Sequence, residues 1–328
     1  MKKYVELHCH FDGSLNVEKS YELAKNRNIL PEDMSYEEFA KEMPVPSDNV
    51  SLETFLAHFT FPLAILQDEE ALYESMIACI HDLEQDNICY AELRFAPQAH
   101  LQKGLTQEEA VLACIKGVEK AKELYPDITI QLILCMMCDE IGDSEVNLET
   151  ARLAAKYYGK GVCGLDLAGA EGMAPYQNYQ KCIDIVKEKN VPITLHAGES
   201  GPSSNVHDAL ALGANRIGHG GHALEDDSVI QELLDKQVVL EQCVTSNIQC
   251  HNQPSYALHS LRPLFDKGVK VTLNTDNRSL SGTSLQEEIE KVKKYMNFTD
   301  EDIHLMMLNA IDGAFTTEEE KERLRQLV

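Results

Sequence analysis

Eight short β-rich runs, separated by stretches of helical periodicity along 328 residues, predict an α/β fold, a (β/α)8 TIM barrel with additional helices inserted after strand one. Three observations support it. The runs alternate with amphipathic segments instead of following one another as hairpins, which requires a parallel sheet covered by helices. A chain of this length fits one α/β barrel, so a single domain is expected over residues 1–328. Histidines and acids recur at the carboxyl ends of the runs, the rim on which barrel proteins carry their sites.

In order, the strands are expected at residues 4–10, 89–95, 128–136, 162–167, 191–196, 216–219, 238–243 and 269–274. A doubly wound open sheet is the rival arrangement, because no periodicity proves closure. Helix starts fit the alternation: Thr106 to Glu109, Thr299 to Asp302 and Thr317 to Glu320 each have capping-box form. Between the first two strands lie about eighty residues punctuated by Pro31, Pro44, Pro46 and Pro62, more than one crossover helix needs. Within them Leu52, Phe55, Leu56 and Phe59 follow i, i+3, i+4, i+7 spacing and are expected on one face of a helix. Such a stripe is usually core packing. Because the insertion leaves the carboxyl end of the first strand, Phe55 and Phe59 are also candidates for the wall of a binding pocket.

Composition narrows the function. Fifty-four acidic against twenty-nine basic residues give a formal charge of −25, which repels nucleic-acid backbones and anionic membranes, so a neutral or cationic small molecule is the expected partner. Apolar residues make up 44% of the chain, enough for a sizeable core, and no apolar run approaches the ~20 residues of a spanning helix. The start Met1-Lys2-Lys3-Tyr4-Val5-Glu6 enters a strand pattern at once, leaving no room for a leader, and a cytoplasmic location is expected. The ten cysteines are read as reduced, buried thiols. No oligomeric state follows from the sequence.

The chemistry-bearing residues sit at four strand ends. His8 and His10 alternate onto one face of the first strand, where two imidazoles can reach one cation. The fifth strand ends in His196-Ala197-Gly198-Glu199, the sixth in His219 and the eighth in Thr275-Asp276-Asn277. A lone histidine is commonly structural, but four rims converging on one mouth strain that explanation. Imidazoles with one carboxylate suit Zn2+, though other first-row divalent ions fit the same set. Cys135 and Cys138 have C-x-x-C spacing without a second pair and are read as packing. The H-x-E with P-C-x-x-C signature of the zinc deaminases that act on cytosine and flipped bases is absent.

Taken together, the motifs ELHCHFDGS, AELRF, GLDLAGAE, HAGE, IGHGGHALED and LNTDN, in order from about Glu6 to Ser284, resemble those of the adenosine deaminase family in the metal-dependent amidohydrolase superfamily. The resemblance implies hydrolytic deamination of adenosine, and of 2′-deoxyadenosine, to the inosine product and ammonia by a hydrolase of purine metabolism. It implies one Zn2+ per chain held by His8, His10, His196 and Asp276, with Asp276 also accepting a hydrogen bond from the attacking solvent molecule. It further implies that Glu199 donates a proton to purine N1, that His219 orients the attacking oxygen and helps move its proton, and that the Gly169 backbone donates to N3. Asp12 matches the carboxylate that receives the ribose 5′-hydroxyl, where related adenine deaminases carry glutamate, so a purine nucleoside is favoured over the free base. Asn277 departs from the acid that many members place there; it is read as an amide donor to N7, against the alternative that it only shapes its loop. The competing readings are an adenine or other aminopurine deaminase on the same scaffold, a different metal-dependent amidohydrolase, and a non-enzymatic binding protein on a decayed barrel.

Overall fold

The computed structural model describes residues 3–46, 49 and 51–328; Met1 and Lys2, where the expected leaderless start begins, lie outside the described residues. Eight strands follow in order: β1 Tyr4–His10, β2 Ile88–Phe95, β3 Thr129–Met137, β4 Val162–Ala168, β5 Thr194–Ala197, β6 Arg216–His219, β7 Val239–Gln242 and β8 Lys270–Leu273. Neighbours pair in parallel from β1 to β4 and from β5 to β8. Two seams join these halves. At the first, the Leu165 N–H donates to the Pro192 carbonyl at 3.0 Å beside a Leu165–Ile193 bridge. At the second, the His10 N–H donates to the Asp276 carbonyl at 2.6 Å and the Asp276 N–H to the His8 carbonyl at 2.9 Å. The sheet therefore closes on itself, and the open-sheet alternative is excluded.

Apolar residues of the strands meet covering helices such as Gln107–Leu124, Glu145–Tyr157 and Asp300–Gly313 in buried apolar clusters. Strand β5 is shorter than expected: its ladder with β6 begins at Thr194, Ile193 makes only an isolated bridge to Leu165, and Pro192 has no N–H to give to a ladder. The long β1–β2 connection carries helices Val17–Asn26, Tyr36–Glu42, Leu52–Ala57, Thr60–Ile65 and Glu69–Gln85. The stripe from Leu52 to Phe59 does not lie on one helix; the helix ends at Ala57, and Phe59 caps the start of the next. Capping boxes form at Thr106 and Thr299. At Thr317 only half of the expected box forms, since Thr317 accepts from the Glu320 N–H while the Glu320 carboxylate turns to Arg323 at 2.6 and 2.8 Å. All ten cysteines are free and nine are buried, with Cys138 intermediate. No described helix is long and apolar enough to cross a membrane.

The barrel interior is charged, which no apolar-run reading of the strands anticipates. Arg94 of β2 donates to Asp166 of β4 at 2.8 Å, to Glu241 of β7 at 2.8 Å and to the Leu7 carbonyl of β1 at 2.6 Å. Arg216 of β6 donates to Glu241 at 2.6 Å and Glu92 at 2.5 Å. Its guanidinium also lies 3.6 Å from the centre of the Phe315 ring. A buried charge is tolerated only when paired and hydrogen-bonded, and here every carboxylate has an arginine. The network forms a rigid floor under the carboxyl-end rim.

Candidate active site

A cavity of about 320 Å³ opens at that rim, lined among others by His10, Asp12, Phe55, Phe59, Gly169, His196, Glu199, His219, Asp276 and Asn277. All residues singled out from the sequence contribute to it except His8, which is fully buried beneath its floor. Alternation along β1 brings His8 and His10 side by side, with ring centroids 5.3 Å apart. The β5 end supplies His196, whose Nε2 is 3.2 Å from His10 Nε2. Asp276 Oδ1 is 3.4 Å from both His8 Nε2 and His10 Nε2.

Those separations test whether the residues fit a metal. Donors ~2.0–2.1 Å from a tetrahedral zinc lie roughly 3.3–3.4 Å from each other. The observed 3.2 and 3.4 Å edges match, and His8 Nε2 is buried without a hydrogen-bond partner. The other nitrogens are committed: His8 Nδ1 pairs with Glu241 at 2.8 Å and His196 Nδ1 with Asp166 at 3.1 Å. A carboxylate on Nδ1 keeps the proton there and leaves the Nε2 lone pair pointing inward, the arrangement metal-binding histidines require. Burial alone would raise the Glu241 carboxyl, but Arg94 and Arg216 hold it well below the usual carboxylate range. Cys243 was not singled out from the sequence, yet its thiol lies within 4.8 Å of donor atoms from His8, His219 and Asp276.

His219, the last residue of β6, and Asp276, just past β8, have φ of 61° and 63°. The left-handed conformation costs a residue with a side chain about 1–2 kcal/mol and must be held in place. Asp276 is pinned on both sides by the backbone of β1. The His219 carbonyl accepts from the Gln242 side-chain amide, and Asn247 Nδ2 donates to His219 Nδ1 at 3.1 Å.

Glu199 is placed by a clamp that sequence reading missed. The Glu171 carboxylate accepts the backbone N–H groups of Gly198, Glu199, Ser200 and Gly201 at 2.7, 3.0, 2.9 and 2.8 Å, and Asn205 Nδ2 at 2.7 Å. Successive N–H groups turned on one anion form a nest. A Cβ on Gly201 would come within 2.7 Å of Glu171 Oε1, which explains the glycine. The Glu199 side chain accepts from Asn252 Nδ2 at 3.3 Å and lies 3.7 Å from His219 Nε2. Burial pushes its carboxyl up to about 8, aided by Asp276 and Glu171 and opposed by His196. Such a group carries its proton at neutral pH.

Asp12 is buried in the cavity wall, with Oδ1 unpartnered and its carboxyl raised by burial to about 7. The Asn277 Oδ1 is also buried without a partner, packed where a Cβ on Gly13 would fall 2.0 Å away. Gly169, with φ of 99°, turns its backbone along the wall beside Met137. Phe55 packs against Cys250, Val45 and Leu280 and, with Phe59, gives the mouth an apolar side. Cys135 and Cys138, read as packing, both reach the cavity wall, and the Cys135 thiol faces Asp166 at 3.7 Å. Glu241, Asp166, Arg94 and Arg216 could have been found from one signal, charged residues within largely apolar strands.

The family model described as adenosine deaminase matches residues 4–328. An adenosine deaminase of Clostridium perfringens is 38% identical over 322 residues, covering 98% of this chain and 96% of its own length. Among solved structures, an adenine deaminase of Arthrobacter aurescens superposes with a TM-score of 0.88 at 25% identity, covering 99% of this chain and 98% of the other. An N6-mAMP deaminase of Arabidopsis superposes at 0.84 with 23% identity, covering 99% and 97%.

Proposed function

Because the chain belongs to the adenosine deaminase family, we propose that it hydrolyses the C6 amino group of adenosine and 2′-deoxyadenosine, releasing ammonia. The carrying observation is Glu199, a buried carboxyl raised to about 8 in the wall of the cavity that His10, His196 and Asp276 also line. A protonated acid in that position gives its proton to purine N1, drawing electron density from C6 and opening that carbon to attack. His8, His10, His196 and Asp276 would hold one Zn2+ per chain, four protein ligands where catalytic zinc usually has three. When bound, the ion lowers the pKa of a solvent molecule toward ~7 and supplies the nucleophile at neutral pH. Asp276 would also accept a hydrogen bond from the attacking solvent molecule, and His219 would face its oxygen. Gly169 and Asn277 address N3 and N7 of the ring, while Phe55 and Phe59 cover its apolar face.

Asp12 favours a nucleoside over the free base, since its unpartnered buried oxygen is an acceptor with a need for the donor that a 5′-hydroxyl supplies. A nucleotide is disfavoured: among the described residues no lysine or arginine lines the cavity to pair with a phosphate, and the Asp276 carboxylate would repel one. Purified protein incubated with adenosine, 2′-deoxyadenosine, adenine and AMP, followed by ultraviolet absorbance, tests the reading. The highest kcat/KM is expected for the two nucleosides. Faster turnover of adenine or AMP would replace it.

A further inference from the structure

The structure fixes which nitrogen of His219 carries its proton, through a buried chain of hydrogen bonds that starts at a backbone amide. The Leu261 N–H donates to His259 Nδ1 at 3.0 Å. A backbone N–H cannot accept, so His259 Nδ1 bears a lone pair and the neutral ring holds its proton on Nε2. His259 Nε2 lies 3.3 Å from Asn247 Oδ1, which must therefore accept. The same amide then presents Nδ2 to His219 Nδ1 at 3.1 Å, so that nitrogen accepts in turn. The opposite orientation of Asn247 fails on chemistry: His259 would face donors on both sides and have no proton on either nitrogen. His259, Asn247 and His219 are 1%, 2% and 1% exposed, so water does not rewrite the chain. Burial pushes His259 down to about 3, consistent with a neutral ring that holds one proton.

We propose that Asn247 and His259 are positioning residues that lock His219 with Nε2–H facing the cavity, making it a hydrogen-bond donor to the attacking oxygen and not the base that removes its proton. A donor held in place before the reaction stabilises the charge that develops on that oxygen without reorganising. The catalytic consequence rests on the proposed position of His219 opposite that oxygen; the tautomer itself does not.

The test joins a spectroscopic and a kinetic measurement on the metal-loaded protein. Nitrogen-15 NMR of histidine-labelled protein, with the His219 signals identified by their loss in His219→Asn, reports which ring nitrogen is protonated. Wild type is expected to show His219 protonated on Nε2. Asn247→Asp, nearly isosteric, offers His219 Nδ1 an acceptor in place of a donor and is expected to invert that assignment. Its kcat should fall by roughly 10²–10³-fold, the loss seen when one such donor is removed, with KM changing far less. Asn247→Ala, which breaks the relay without imposing the other tautomer, is expected to lose less. If Asn247→Asp does not fold, Asn247→Ala carries the kinetic arm. A wild-type His219 protonated on Nδ1 overturns the proposal, as does a correctly folded Asn247 variant with kcat within twofold of wild type. If the wild type turns over no aminopurine while His219 is protonated on Nε2, the proposed function falls and the relay stands.

Discussion

Replacing Asp166 with asparagine separates the support beneath the histidines from the histidines themselves. In the native protein Asp166 Oδ1 lies 3.1 Å from His196 Nδ1 and accepts the Leu167 N–H at 2.7 Å, while Oδ2 accepts from Arg94 at 2.8 Å. An asparagine keeps one acceptor and turns an NH2 toward either Arg94 or His196, both donors. The loss is one charge-assisted buried hydrogen bond, ~1.5–3 kcal/mol. The carboxylate partners of metal-binding histidines typically account for 10–100-fold in metal affinity, ~1.4–2.8 kcal/mol on the same scale. The two ranges coincide, so Asp166→Asn is expected to raise the metal Kd by roughly 10–100-fold. Competition with a chelator of known affinity at neutral pH measures it. Burial works against the Asp166 carboxylate, but His196 and Arg94 outweigh it and hold its folded pKa well below the usual carboxylate range. A depressed carboxylate contributes stability above its unfolded pKa and loses it as pH falls toward the folded one. The stability gap between wild type and variant should thus be level from pH ~6 to ~4 and narrow in stronger acid. A metal Kd within threefold of wild type would refute the idea that this pair orients His196.

Glu199→Gln should keep the metal and lose most of kcat, because an amide occupies the space without delivering a proton. Since the acid form is the active one and its pKa is raised to about 8, wild-type activity should decline as pH rises through that value, a limb absent from the residual activity of the variant. Asp12→Ala should weaken adenosine far more than 5′-deoxyadenosine; equal losses on both would mean that Asp12 does not read the 5′-hydroxyl. Asn277→Ala should lower kcat/KM for adenosine by roughly 5- to 100-fold, the scale of one buried hydrogen bond. With 7-deazaadenosine, which lacks the N7 acceptor, the same variant should lose much less, and matching losses would assign Asn277 to shaping its loop.

Strand positions were legible because a parallel barrel buries each strand on both faces, and runs such as Ile88–Phe95 announce themselves by composition. Closure was not, because it rests on a few hydrogen bonds at two seams that no periodicity encodes. Apart from Phe55 and Phe59, the cavity residues were legible in order because each lies at or just past a strand end, a position the alternation defines. The partners that orient them were not: Glu171 reaches Gly198 from another loop, and Glu241 reaches His8 from across the barrel. Contacts of that kind come from three-dimensional closure and leave only a charged residue in an unexpected place as their trace. Thr317 shows the converse error, a local pattern overruled when Glu320 found an arginine one turn away.

The residue that completes the cluster also closes the barrel. Asp276 exchanges backbone hydrogen bonds with His8 and His10, so the first strand and the last meet through the same residue that faces the imidazoles. During synthesis the two histidines leave the ribosome well before Asp276, with seven further strands between them. A nascent or truncated chain lacking β8 has neither the closing seam nor Asp276, and such long-range closure belongs among the slow events of folding. On the proposed ligand set, competence to bind the ion would arrive with Asp276, and metal capture would serve as a clock for closure of the barrel.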